Sequence, residues 1–102
     1  MIRRIVRLHL KDKADASGIV DKCMADFPGY PGVKAVAAGE AVGADSPEVV
    51  LFVDFENMEA VEAYRVYPAH RALVDVFLKP KLTNVEILNV ELDQVLRQTN
   101  PG

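Results

Sequence analysis

The segment Glu48-Val49-Val50-Leu51-Phe52-Val53-Asp54-Phe55 constrains this chain more than any other stretch. Its β-branched and aromatic residues read as a strand, and side chains along a strand point alternately to opposite faces. Val49, Leu51, Val53 and Phe55 then share one face, while Val50 and Phe52 share the other. Ile5 and Val36 are expected on that second face as well. A sheet apolar on both sides needs a covering layer on each. The chain has 102 residues, the length of one domain, and its helices can cover only one face. The expected second layer is another copy of the chain, packed sheet to sheet. The plainer alternative is a hydrophobic strand that leaves two side chains in water.

Periodicity and punctuation supply the other elements. Ile2 to Leu10 alternates, with Ile2, Arg4, Val6, Leu8 and Leu10 on one face and Arg3, Ile5, Arg7 and His9 on the other, which predicts a strand. Ile19, Val20, Cys23, Met24 and Phe27 recur at helical spacing over residues 14–27, and Pro28-Gly29 ends that helix. Pro31-Gly32 makes a turn before a small-residue strand over 33–42, and residues 43–47 form a loop. Asn57 is placed to cap a helix over 58–66. Pro68 suits the first position of a further helix reaching about residue 78, which Pro80 ends. A last strand covers about 85–92. This order, joined by right-handed crossovers, predicts an α+β ferredoxin-like sandwich, a four-stranded antiparallel sheet with helices on one face. Residues 1–102 form one domain, with a core of about 2–92 and a loosely held polar tail over 93–102.

Composition narrows the function classes. Half of the residues are hydrophobic and 26% are charged, which excludes a disordered or fibrous chain. The net charge of -3 lacks the basic excess of a nucleic-acid binder, with Arg3, Arg4 and Arg7 as the one basic cluster. No apolar run approaches the ~18 residues of a membrane helix, and the start of the chain has no signal-peptide core. A soluble, cytoplasmic protein without nucleic-acid or membrane partners is expected. One cysteine, Cys23, can form no internal disulfide, and two histidines beside it cannot build a Cys/His zinc site. No metal and no cofactor are expected.

The chemistry concentrates in Tyr64-Arg65-Val66-Tyr67-Pro68-Ala69-His70. Proline breaks one helix and starts the next, so Tyr64 at the end of the first and His70 in the first turn of the second can reach one pocket. A neutral imidazole and a phenol are the minimum equipment for general acid–base work. The positive helix N-terminus favours the neutral imidazole. The structural alternative makes His70 a partner of a backbone group at the helix junction and Tyr64 a core aromatic. Arg4 shares its strand face with Val6 and Leu8, and either snorkels to the sheet edge or brings a cation into the pocket. His9 is a rim or interface residue, and Cys23 a small core hydrophobe.

Several segments resemble the stress-responsive A/B barrel (Dabb) family: Met1-Ile2-Arg3-Arg4-Ile5-Val6-Arg7-Leu8, Pro31-Gly32-Val33 and Val53-Asp54-Phe55-Glu56. The most specific is Ala60-Val61-Glu62-Ala63-Tyr64 running into Tyr67-Pro68-Ala69-His70. The resemblance spans residue 2 to about 92, and it implies that two sheets pair across a two-fold into a dimeric α+β barrel. A plant branch of that family contains polyketide cyclases, in which a His–Tyr pair promotes an aldol-type ring closure. On this sequence those roles fall on His70 and Tyr64. Where that branch has a histidine on the first strand this chain has Arg4, and Cys23 and Lys81 stand where it has aromatics. Related families of the fold include haem-degrading and quinone-forming monooxygenases.

The expectation is a small homodimer that binds a hydrophobic or aromatic ligand between helices and sheet. Val6, Leu8 and Leu51 would line the pocket, with Tyr64, His70 and Arg4 as its polar groups. The alternative is an enzyme, a polyketide-cyclase-like or lyase-like catalyst using His70 and Tyr64. A third reading is a cofactor-free monooxygenase acting on an electron-rich aromatic.

Overall fold

Alternation in two strands organises the sheet. In the computed structural model, which describes residues 1–93, β1 (Ile2–Leu10) is central and pairs antiparallel with β3 (Glu48–Phe55) and β4 (Leu82–Glu91). β2 (Ala35–Glu40) pairs antiparallel with β3, giving the order β2-β3-β1-β4. Apart from Asp93, the polar tail predicted over 93–102 lies outside the described residues. Val49, Leu51, Val53 and Phe55 meet Ile2, Arg4, Val6 and Leu8 across the β1–β3 ladder, so one face of the sheet carries the core.

The helices pack on that face. α1 (Ala16–Asp26) buries Ala16, Ile19 and Cys23. Short 3-10 turns, Lys13–Asp15 and Phe27–Gly29, flank it where a single helix over 14–27 was predicted. α2 (Met58–Arg65) buries Val61 and Tyr64, and its first turn is capped as predicted: Asn57 Oδ1 accepts from the Ala60 N–H at 2.9 Å. Pro68 opens α3 (Pro68–Ala72), which passes into a π-helical stretch, Leu73–Leu78, and a 3-10 turn, Lys79–Lys81. The second helical segment is therefore not the uniform helix that its spacing suggests. Gly32 adopts φ +81°, and a Cβ there would lie 3.2 Å from Ala60 Cβ, so the Pro31-Gly32 turn needs its glycine twice over. The result is an α+β ferredoxin-like fold. Among the described residues no helix is long and apolar enough to cross a membrane.

Three strand expectations change. β2 is confined to Ala35–Glu40 rather than 33–42, and β4 starts at Leu82 rather than near Val85. The ladder shifts between His9 and Leu10, which lets Leu82 pair with Leu10 although Leu82-Thr83-Asn84 carries no alternation to read. Val36 lies opposite Val53, and directly opposed residues share a face, so Val36 packs against the core and not on the second face. Ala37 stands opposite Phe52 instead.

On the second face Ile5 lies between Phe52 and Leu88, with Val50 on the same side. Phe52 is 37% and Leu88 60% exposed. Ion pairs border them: Arg3 Nε to Asp54 Oδ1 at 2.9 Å, Arg7 to Glu48 and Glu86, and His9 Nε2 to Glu86 Oε2 at 2.6 Å. The Arg7 guanidinium holds the Glu48 carboxyl below its usual range. His9 thus lies among the ion pairs that border this apolar face.

Candidate functional site

α1 and α2 lean toward β2 and β3, which leaves the inner face of β4 uncovered. Val85 and Ile87, on the core side of β4, stay largely exposed for this reason. A cleft of about 290 Å³ opens between β1, β4 and the α3 segment. Arg4, Val6 and Leu8 enter it from β1, Leu51 from β3, Tyr64 from α2 and His70 from α3. All six residues singled out in the sequence thus line one cavity. Val74 and Leu78, four and eight residues beyond His70, complete the helical wall. Cys23 and Lys81, which stand where the plant branch has aromatics, do not line it. Cys23 is fully buried under α1, and Lys81 Nζ donates to the Phe77 carbonyl at 3.0 Å while lying over the Phe77 ring.

The Tyr64 and His70 rings are in contact, with centroids 4.1 Å apart and planes tilted by 39°. Phe27 and Tyr30 meet the imidazole edge-on at 5.9 and 6.0 Å, which holds its plane. His70 Nδ1 lies 3.3 Å from the Arg65 carbonyl. A carbonyl only accepts, so Nδ1 carries the proton and Nε2 keeps its lone pair. Burial first, then the nearby Arg4, Arg71 and Arg65 charges, hold His70 below the ordinary imidazole value. Its neutrality comes from desolvation rather than from the five-residue helix in whose first turn it lies. Both readings of His70 meet here: it bonds backbone through one nitrogen and lines the cleft with the rest of the ring.

Burial pushes the Tyr64 phenol well above its usual value, so it stays a proton donor. Tyr64 Oη and His70 Nε2 have no hydrogen-bond partner among the described residues, yet no fully enclosed side-chain oxygen or nitrogen there lacks one. Both residues line the cleft, although Tyr64 is only 1% exposed. Arg4 is 7% exposed and donates from Nη1 to Asn89 Oδ1 at 3.1 Å. It does not snorkel to the edge. Asn89 lies opposite Arg4 on β4, a partner that only the strand register reveals.

Arg65, Arg71 and Lys79 also line the cleft, and no acidic side chain does. The sequence reading missed these cations. Their one signal was position, since Arg71 follows His70 directly and Lys79 follows Leu78. No group of three His, Cys, Asp or Glu that could hold a metal occurs among the described residues.

Fold and cleft together define a ferredoxin-like α+β domain with an internal cavity of small-molecule size. Residues 2–92 match the family described as the Stress responsive A/B Barrel Domain, and the chain belongs to that family. Solved structures of the same fold include a dimeric ferredoxin-like protein of unknown function from Thermobifida fusca (24% identity, 89% of this chain and 90% of that one, TM-score 0.73). A Dabb family protein from Mesorhizobium loti aligns at 16% identity over 89% of this chain and 95% of that one, with a TM-score of 0.78. A cofactor-independent oxygenase from Streptomyces nogalater aligns at 15% identity over 95% and 97%, with a TM-score of 0.74. No curated protein matches the sequence.

Proposed function

We propose that this protein is a homodimeric small-molecule binding domain whose cleft takes a ring-sized, largely apolar ligand oriented by Tyr64 and His70. The observation that carries this reading is the convergence of three polar side chains from β1, α2 and α3 on one apolar-walled cleft of about 290 Å³. A few convergent polar groups in an apolar cavity are the usual form of a ligand site. Tyr64 offers a hydroxyl donor and His70 Nε2 an acceptor, which suits a phenol or the enol of a β-diketone. The dimer is supported by Val50, Phe52 and Leu88 on the uncovered face, and by the dimeric description of the Thermobifida fusca protein.

Thermal unfolding with added phenols and β-diketones tests the site. A ligand that binds only the folded state raises the melting temperature as its concentration rises. Wild type should be stabilised, and His70→Ala and Tyr64→Phe should respond less. Equal stabilisation of all three proteins would count against both residues. Because Tyr64 Oη has no partner among the described residues, Tyr64→Phe should leave the unliganded melting temperature nearly unchanged; a structural hydrogen bond would cost about 1 kcal/mol.

The neutral His70 with a free Nε2 favours a second reading, an acid–base catalyst for an enolisable substrate. Nε2 would take the proton from the acidic carbon while the Tyr64 hydroxyl donates to the developing enolate oxygen. Proton–deuterium exchange at that carbon, followed by NMR, separates the two readings. A catalyst accelerates the exchange and loses the effect in His70→Gln, whereas a binding domain leaves the rate unchanged.

A further inference from the structure

The charges in the cleft do not balance. Arg4 is buried against apolar walls, and among the described residues no carboxylate lies within ion-pair distance of it. Glu62 is the acid that acts on Arg4 through space, but its Oε2 is 3.1 Å from Arg65 Nη2, and the Arg65 charge opposes its effect. Arg71, which also lines the cleft, has no carboxylate within ion-pair distance among the described residues; Asp75, on which its charge acts, is already paired with Lys79. A guanidinium has five N–H donors, and Arg4 commits one of its nitrogens to Asn89. Its other nitrogens have no side-chain partner among the described residues, and the residue lines the cleft. Buried charges are otherwise paired, because removing an ion from water is costly. Around Arg4 stand a phenol that donates and an imidazole that is neutral. Neither supplies a negative charge.

We infer that the ligand of this cleft is an apolar ring bearing one anionic oxygen group, a carboxylate or an acidic phenolate, seated on Arg4. This rests on the pocket reading above. The ligand supplies the counter-charge that the chain lacks, Tyr64 donates to the same oxygen group or its neighbour, and His70 Nε2 accepts from a hydroxyl on the ring. Arg71 adds to the positive potential that draws an anion in.

Calorimetric titration with naphthoate and its neutral isostere naphthamide tests the assignment. Wild type should bind naphthoate at least about tenfold more tightly than naphthamide, and Arg4→Gln should bring the ratio near one. Arg4→Gln removes an unpaired buried charge, so its melting temperature should not fall. Equal wild-type affinity for the two compounds overturns the anion assignment and leaves the pocket reading standing. A preference that survives Arg4→Gln and vanishes in Arg71→Gln overturns the role given to Arg4. Binding of neither compound overturns both. A second measurement needs no variant: nitrophenol changes absorbance on ionisation, and its acid–base midpoint should fall by about one pH unit in the cleft, equivalent to tenfold tighter binding of the phenolate. An unshifted midpoint in bound nitrophenol overturns the inference.

Discussion

His70 shows how one environment sets both charge and stability. Burial keeps the imidazole neutral in the fold, while the unfolded chain binds a proton near the ordinary value of about 6.5. Below that pH the unfolded state holds more protons than the native one, so stability falls as pH drops and the penalty is absent above it. The melting temperature of wild type should therefore fall more steeply from about pH 7 to pH 5 than that of His70→Gln; parallel curves would mean that His70 protonates in the native cleft. Cys23 gives a second residue-scale expectation. It is 0% exposed, and burial pushes its thiol up to about 12. A thiol reagent near neutral pH should label the native protein slowly and the denatured protein fast, because the thiolate is the reactive form. Rapid native labelling would contradict the register of α1.

At the scale of elements, the cleft depends on a break. α2 must stop after Tyr64 and α3 must start before His70 for the two rings to meet, and Pro68 enforces that gap. Asn57 fixes where α2 begins, and so where Tyr64 falls. Asn57→Ala removes the bond to the Ala60 N–H and should cost about 1 kcal/mol in a urea titration. No loss would show that water caps the helix equally well. The strand elements divide the work differently. Each residue of β1 serves one layer, so Arg4 reaches the cleft while its neighbours Arg3 and Ile5 face the other side.

For the molecule as a whole, the question is what covers Phe52. Ile5, Val50, Phe52 and Leu88 form an apolar centre bordered by Arg3–Asp54 and Arg7–Glu48. In the proposed dimer this face meets its own copy, and light scattering should give the mass of two 11.2 kDa chains. Phe52→Asp should yield a monomer or an unfolded chain, since a charge in such an interface has no partner and an obligate dimer need not have a stable monomer. A wild-type mass of one chain would end the proposal.

The sequence alone determined the faces of β1 and β3 and the helix cap, and it pointed to the six cleft residues. Each is set by local rules: a period of two in β1 and β3, an Asn before a helical run, a proline between Tyr64 and His70. Those rules act over a few residues, so a chain can display them before it is folded. They failed where pairing intervened. Val36 lay on an edge strand whose small residues gave no face to read, and only its position opposite Val53 assigned it to the core. The start of β4 depended on a ladder shift beside Leu10. Asn89 meets Arg4 across strands 85 residues apart in the chain, and the cationic lining gathers α2, α3 and the turn after it. Charge balance in a cavity is a sum over elements distant in sequence. The tertiary structure decided it, because only folding brings Arg4, Arg65 and Arg71 around one space.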